Sequence, residues 1–231
     1  MSVFRFKNFD IHQDENVQKI STDSMILGAL VEGKKAKNIL DVGTGTGVIA
    51  LMLAQKFPTS KVIGLDIDSH AVKTANLNFE NSPYANRIEA VEMNFLDFQS
   101  PVLFDKIVAN PPYFDTKMYP ENVQRALARH EIGMSLFELI EHAKNLLTRN
   151  GQLWIILPAN RTVELLHRGL SLFLVKRIKI YGKPNNHVRD VLVFCKNPIM
   201  ASEESLVIRY KNGNYTDLYK NLTKDFHFNQ L

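Results

Sequence analysis

The chain has 231 residues, 45% of them apolar and 23% charged, with 11 Gly and 9 Pro, which excludes disordered, collagen-like and coiled-coil proteins. That length supports one sizeable core, and apolar runs such as Val48–Ala54 fall far short of the ~20 residues of a membrane span. The single Cys195 excludes an internal disulfide or a thiolate metal cluster, and the net charge of +4 favours a polyanionic partner only mildly.

The N-terminal stretch Met1–Asp14 mixes Phe with Arg, Lys and Asp. It lacks the apolar run of a signal peptide, so a cytoplasmic protein is expected. A lead-in helix is expected over Asp23–Val31. Asn38–Val42 reads as an apolar strand that meets the Gly-rich stretch Gly43–Gly47, and Val48–Phe57 as a helix apolar almost all round. Lys61–Asp66 is a second strand. Asp68–Ser82 has Val72, Ala75 and Phe79 at helical spacing. Ile88–Glu92 and Phe104–Ala109 are the third and fourth strands. Ser135–Leu147 places Leu136, Leu139, Ile140, Ala143 and Leu147 on one stripe. Gly151–Leu157 is a fifth strand and Thr162–Leu172 a helix. Val175–Tyr181 and Val188–Lys196 are separated only by the turn Gly182–His187, too short for a parallel crossover, so they form an antiparallel hairpin. A small strand-plus-helix, Leu206–Phe226, closes the chain.

Alternating strands and helices with buried strands imply a mostly parallel α/β sheet covered on both faces. No repeat or linker divides it, so one domain spans residues 1–231: a lead-in at 1–37, a core at 38–197 and an extension at 198–231.

Leu40-Asp41-Val42-Gly43-Thr44-Gly45-Thr46-Gly47 follows a strand and opens a helix. Glycines allow the sharp turn and bring bare backbone against a ligand, and the helix N-terminus beyond suits an anionic group. A dinucleotide-binding turn needs its third glycine one residue later, where Val48 stands. Asp41 at the strand end repels a pyrophosphate but suits an ammonium beside a carboxylate, the ends of an amino acid. This pattern resembles motif I of S-adenosylmethionine (SAM)-dependent methyltransferases; the bland alternative is a tight turn with no ligand. Asp66 ends the second strand about 20 residues on, the place of a ribose-binding acid. Ile67 would lie on the adenine face. Asp66 could instead cap the following helix, but Asp68 and Ser69 can do that work. Asp97 could accept the adenine amino protons, with Phe98 alongside and Asn94 as a rival.

Asn110-Pro111-Pro112-Tyr113 follows the fourth strand, at the sheet edge where ligands sit in open α/β sheets. The prolines remove two donors and leave rigid carbonyl acceptors. Asn110 adds a side-chain carbonyl and Tyr113 a flat stacking face. Acceptors that hold both protons of a ring amine bias its nitrogen toward tetrahedral geometry and stabilise positive charge as a methyl arrives. These residues are the signature of methyltransferases acting on planar amino or amide nitrogen, including adenine N6, guanine N2 and release-factor glutamine.

The closing hairpin resembles the ending of class I methyltransferases. That resemblance implies a Rossmann-like, seven-stranded, mostly parallel sheet ordered 3-2-1-4-5-7-6 with helices on both faces. Further stretches narrow the likeness: Lys19-Ile20-Ser21-Thr22-Asp23-Ser24-Met25-Ile26-Leu27-Gly28-Ala29, Arg125-Ala126-Leu127-Ala128-Arg129-His130-Glu131, and Arg209…Tyr215-Thr216…Tyr219…Leu222. With motif I and Asn-Pro-Pro-Tyr, they resemble the bacterial tRNA1(Val) (adenine-37) N6-methyltransferase family over nearly the whole chain. The resemblance implies SAM as cofactor, methylation of an adenine N6 in tRNA, and Thr22 and Asp23 near the methionine end of the cofactor, where they could also cap the lead-in helix. Other amino-nitrogen methyltransferases, on rRNA, DNA or protein glutamine, remain the alternative enzymes. A catalytically idle SAM-binding RNA module is the alternative of another class.

Arg125, Arg129, Arg177 and Lys179 are candidate RNA contacts. Alternation puts Arg177 and Lys179 on one face of an expected edge strand, where they bind phosphate or protect the edge by charge. Seven histidines form no ligand cluster, so no metal is expected. The expected partner is tRNA, met by a monomer away from any membrane. Cys195 and Trp154 are expected in the core.

Overall fold

The computed structural model describes residues 2–14, 17, 19–33, 35–111 and 134–227. It opens with an antiparallel hairpin, β1 (Ser2–Arg5) and β2 (Asp10–Gln13), followed by α1 (Thr22–Leu30). Then come β3 (Asn38–Val42), α2 (Val48–Lys56), β4 (Lys61–Asp66), α3 (Ser69–Glu80), β5 (Ile88–Glu92) and β6 (Phe104–Ala109). After α4 (Leu136–Leu146) the chain runs through β7 (Leu147–Pro158), α5 (Ala159–Leu166), β8 (Phe173–Tyr181), β9 (His187–Cys195), β10 (Ser202–Val207) and α6 (Asp217–Thr223).

Among the described residues, eight strands form the main sheet in the order β10-β8-β9-β7-β6-β3-β4-β5. From β7 to β5 all pairings are parallel, and β9 runs antiparallel to both β7 and β8. The seven expected strands hold the expected order, and β10 adds an eighth, parallel to β8. Side chains alternate across the sheet with the strand period. Ile39, Val108, Trp154 and Ile156 enter a core with α1, α2, α3, Tyr219 of α6 and the N-terminal hairpin. Leu40, Ile107, Leu153 and Ile155 enter a second core under α4 and α5. Cys195 and Trp154 are buried as expected.

Two strand pairings depart from the sequence reading. The N-terminal hairpin was not foreseen, because its apolar residues are spaced by charges. Phe6, Phe9 and Ile11 are nonetheless buried, and Phe9 meets Tyr84 edge-on. Asn78 of α3 fastens the hairpin. Its Oδ1 accepts from the His12 amide at 2.8 Å, and its Nδ2 donates to the carbonyls of His12 at 3.0 Å and Thr46 at 2.9 Å.

The other departure corrects an expectation. β8 is not an edge strand, because β10 pairs along it from Ser202↔Lys176 to Val207↔Tyr181. Ser-Glu-Glu-Ser has little intrinsic strand preference. Its acids meet the basic residues of β8 instead: Glu204 accepts from Lys176 at 2.8 Å and Glu203 from Lys179 at 2.6 Å. Such cross-strand pairs of opposite charge favour the pairing.

Candidate functional site

The parallel register brings the site together. Val42 pairs with Ala109 and with Leu65, so the chain leaves β3, β6 and β4 at one sheet edge. The Gly-rich turn, Asp66 and Asn110 therefore share that edge.

The turn is clamped to the neighbouring strand, since the amides of Gly43 and Thr44 both donate to the Leu65 carbonyl at 2.8 Å. Gly43 and Gly45 have φ of 72° and 55°, and a Cβ on either would meet nothing within 4 Å. Their backbone is thus bare toward open space, in a conformation that side chains disfavour. Gly47 differs: a Cβ there would come 2.4 Å from the Phe79 ring. It starts α2 in the left-handed region and lets that helix pack on α3. Close packing on α3 is therefore one requirement for glycine at this position.

Asp41 is fully buried, at 0% exposure. Its Oδ2 accepts from Thr44 Oγ1 at 2.8 Å, so it braces the turn from beneath. Its Oδ1 has no hydrogen-bond partner of normal geometry among the described residues. Burial pushes its carboxyl up to about 7, opposed by Thr44 and the Ala50 backbone and assisted by the charge of Asp66.

Asp66 is half-buried at the end of β4. Its Oδ2 accepts from the Gly45 amide at 2.8 Å and its Oδ1 from the Asp68 amide at 3.0 Å. It is not the cap of α3, because Asp68 holds that position and accepts from the His70 amide at 2.9 Å. Each carboxylate oxygen has two lone-pair sites, so Asp66 keeps capacity for two further donors. Ile67, next to it, is 63% exposed, an apolar side chain presented to solvent at the same edge. Beyond β5, Asn94 caps a short 3-10 turn by accepting from the Leu96 amide at 3.1 Å. This occupies the rival of Asp97 and leaves Asp97 exposed. Phe98 packs into the second core near Phe104, with ring centroids 6.2 Å apart.

Asn110 stands directly after β6, with Pro111 half-buried behind it. Asn110 Nδ2 donates to Ser24 Oγ at 3.1 Å, which brings the start of α1 against the catalytic candidate. Sequence reasoning missed Ser24; its one trace was the quoted stretch before motif I. Ser21, not Thr22 or Asp23, caps α1, accepting from the Ser24 amide. Thr22 is exposed, and Asp23 accepts from Arg189 Nε at 2.7 Å, tying α1 to β9. Pro112, Tyr113, Arg125 and Arg129 lie outside the described residues.

Arg177 and Lys179 do not face outward as free cations. Arg177 meets Asp190 through Nε at 3.1 Å and Nη2 at 2.9 Å, and Lys179 meets Glu203. With β8 covered by β10, the edge-protection reading is corrected: these residues hold β8 to β9 and β10. Asp190 is fully buried and also meets His187 Nε2 at 2.9 Å. Burial alone would raise its pKa, but the Arg177 bonds and charge, helped by His187, bring it below the ordinary carboxylate value.

Among the described residues no group of His, Cys, Asp and Glu could hold a metal ion, and no helix is long and apolar enough to cross a membrane.

Comparison with known proteins shows the family and the fold. The methyltransferase small domain family matches residues 16–173. A tRNA1(Val) (adenine(37)-N6)-methyltransferase from Flavobacteriaceae bacterium (strain 3519-10) is 38% identical over 98% of this chain and 99% of its own. Proteins of the same description from Haemophilus influenzae (strain PittGG) and Bacteroides thetaiotaomicron are 37% and 34% identical, over 98% and 97% of this chain and 99% and 96% of theirs. Among solved structures, one described as a predicted O-methyltransferase from Agrobacterium tumefaciens superposes with a TM-score of 0.67 at 18% identity, over 88% of this chain and 96% of the other. TrmN from Thermus thermophilus gives 0.55 at 20% identity, over 75% and 48%. At these identities the structural likenesses establish the fold.

Proposed function

The chain belongs to the methyltransferase small domain family and, within it, to the tRNA1(Val) (adenine(37)-N6)-methyltransferases, and from that premise we propose that it moves a methyl group from SAM to N6 of adenine 37 in tRNA1(Val). One observation carries the mechanism: the Val42↔Ala109 pairing sets Asn110 beside the Gly-rich turn.

The residues present fit SAM. Open backbone at Gly43 and Gly45 suits its carboxylate end. The orphaned, buried Oδ1 of Asp41 gains from a cation brought near, which an ammonium supplies. Asp66 accepts from ribose hydroxyls with its remaining lone pairs, and the exposed Ile67 covers a purine face. Asp97 stands ready for the adenine amine, and Thr22 and Asp23 for the methionine end. When bound, SAM supplies an electrophilic methyl group on a sulfonium.

The chain's own part is orientation. The target base leaves the stack to reach a site of this kind. Asn110 Oδ1 and the adjoining proline carbonyls accept the two N6 protons and hold the lone pair toward the methyl; their attraction grows as nitrogen becomes positive. The surplus proton leaves to solvent afterwards, so no strong base is required. Tyr113 supplies a stacking face, and Arg125 and Arg129 neutralise phosphates of the RNA. The whole chain acts as one methyltransferase domain, a monomer in the cytoplasm.

Single-turnover methylation of unmodified tRNA tests this. Asn110→Ala should slow transfer by roughly 10²–10³, the scale of losing one preorganised polar group. A wild-type rate in that variant would refute the mechanism. Nucleoside mass spectrometry of tRNA from cells lacking the protein should show loss of the methyl mark at adenine 37.

A further inference from the structure

A carboxamide has a donor end and an acceptor end of nearly the same shape, and only its oxygen can take a proton from a substrate amine. Asn110 therefore needs something to choose its orientation. The start of α1 offers one such partner. Ser21 Oγ accepts from the Ser24 amide at 3.1 Å and lies 3.1 Å from Ser24 Oγ. Either hydroxyl of that pair can donate; when the Ser24 proton is the one directed to Ser21, the Ser24 oxygen turns lone pairs toward Asn110. It then accepts from Nδ2, at 3.1 Å, and has no proton to offer Oδ1.

Ser24 is 8% exposed, so water competes poorly for this contact. Its position is also firm. Met25, Ile26 and Leu27 bury the helix immediately after it, and Asp23 is held by Arg189 immediately before it.

We infer that Ser24 is a positioning residue for methyl transfer: its hydroxyl, donating to Ser21 and accepting from Nδ2, contributes to the orientation of the Asn110 carboxamide that presents oxygen, not nitrogen, to the amine of the base. The inference rests on the catalytic reading of Asn110 given above. It assigns α1 a role in the chemical step beyond lining the cofactor.

The test is a double-mutant cycle read in single-turnover methylation of unmodified tRNA, with dissociation constants for SAM and tRNA measured alongside. Ser24→Ala should slow transfer about three- to tenfold, the worth of one neutral hydrogen bond, with both dissociation constants unchanged. In the Asn110→Ala background the same change should have no further effect, because the group it orients is gone. An unchanged rate in Ser24→Ala, or slowing that simply adds to that of Asn110→Ala, overturns the inference while leaving the role of Asn110 intact. A wild-type rate for Asn110→Ala overturns both. Should Ser24→Ala fail to fold, Ser24→Cys keeps the size, offers only a weak acceptor and enters the same cycle with the same outcomes.

Discussion

Asp41 and Asp190 are the same residue, each fully buried on a strand of one sheet, yet their surroundings are opposite. Asp190 has a guanidinium gripping both oxygens and His187 beside it, and its pKa falls. Among the described residues Asp41 has the Thr44 hydroxyl, the Ala50 backbone nearby, no cation among its bonds and an Oδ1 without a hydrogen bond of normal geometry, and its pKa rises to about 7. A buried charge that is paired is a fastening; one left short of partners has a demand that a ligand can meet. The first fastens the β8–β9–β10 end of the sheet, and the second lies under the turn assigned to the cofactor.

That contrast can be broken in several ways. The largest effect is expected from Asp190→Ala, which strands Arg177 without its main partner; stability should fall by about 3–5 kcal/mol in urea unfolding. SAM affinity of the folded fraction should stay as it was. A drop below 1 kcal/mol would show that the pair is no fastening. Asp66→Ala should act on the other side of the contrast, weakening SAM binding by about 2 kcal/mol in calorimetry. Unchanged affinity would remove Asp66 from the cofactor site.

The pH dependence separates the two acids by sign. The folded pKa of Asp41, about 7, lies above its ordinary 3.8, so between those values the folded chain holds a proton that the unfolded chain has shed. Its contribution is full below about pH 4 and is lost as pH rises to about 7, at up to about 1.4 kcal/mol per pH unit. For Asp190 the folded pKa is lowered, so its contribution is present above the ordinary carboxylate value and lost on acidification. Asp41→Asn should flatten the first slope, and Asp190→Asn the second. Parallel stability curves for the two variants would erase the distinction.

The smallest effect compares cations. Changing Arg125 and Arg129 together to Ala should reduce the salt slope of tRNA binding by about 2, as two phosphate contacts are lost. Lys179→Ala, which loses only the Glu203 pair, should leave that slope alone.

Much of this was legible because it is local. Strand alternation, the glycines after β3, Asp66 at the end of β4 and Asn110 after β6 each declare themselves within a few residues. What stayed hidden depends on partners far along the chain. Nothing near Arg177 says that Asp190 will take it, or that Glu203 and Glu204 will form a strand against it. Ser24 and Asn110 are 86 residues apart, and only the closed sheet brings them together. Gly47 carries a demand that its own motif does not show, because a glycine that fits a helix against Phe79 looks, in sequence, like its neighbours in the turn.

Asn78 extends that last point to evolution. It makes three hydrogen bonds at 0% exposure, accepting one and donating two, between the N-terminal hairpin and the Gly-rich turn. Aspartate has no donor to replace the amide, and glutamine is a methylene too long for a close-packed site. Such a position is expected to be nearly invariant among relatives without touching substrate or cofactor. An aligned column of asparagine there would mark the joint between two segments of backbone, and reading it as an active-site residue would be a mistake.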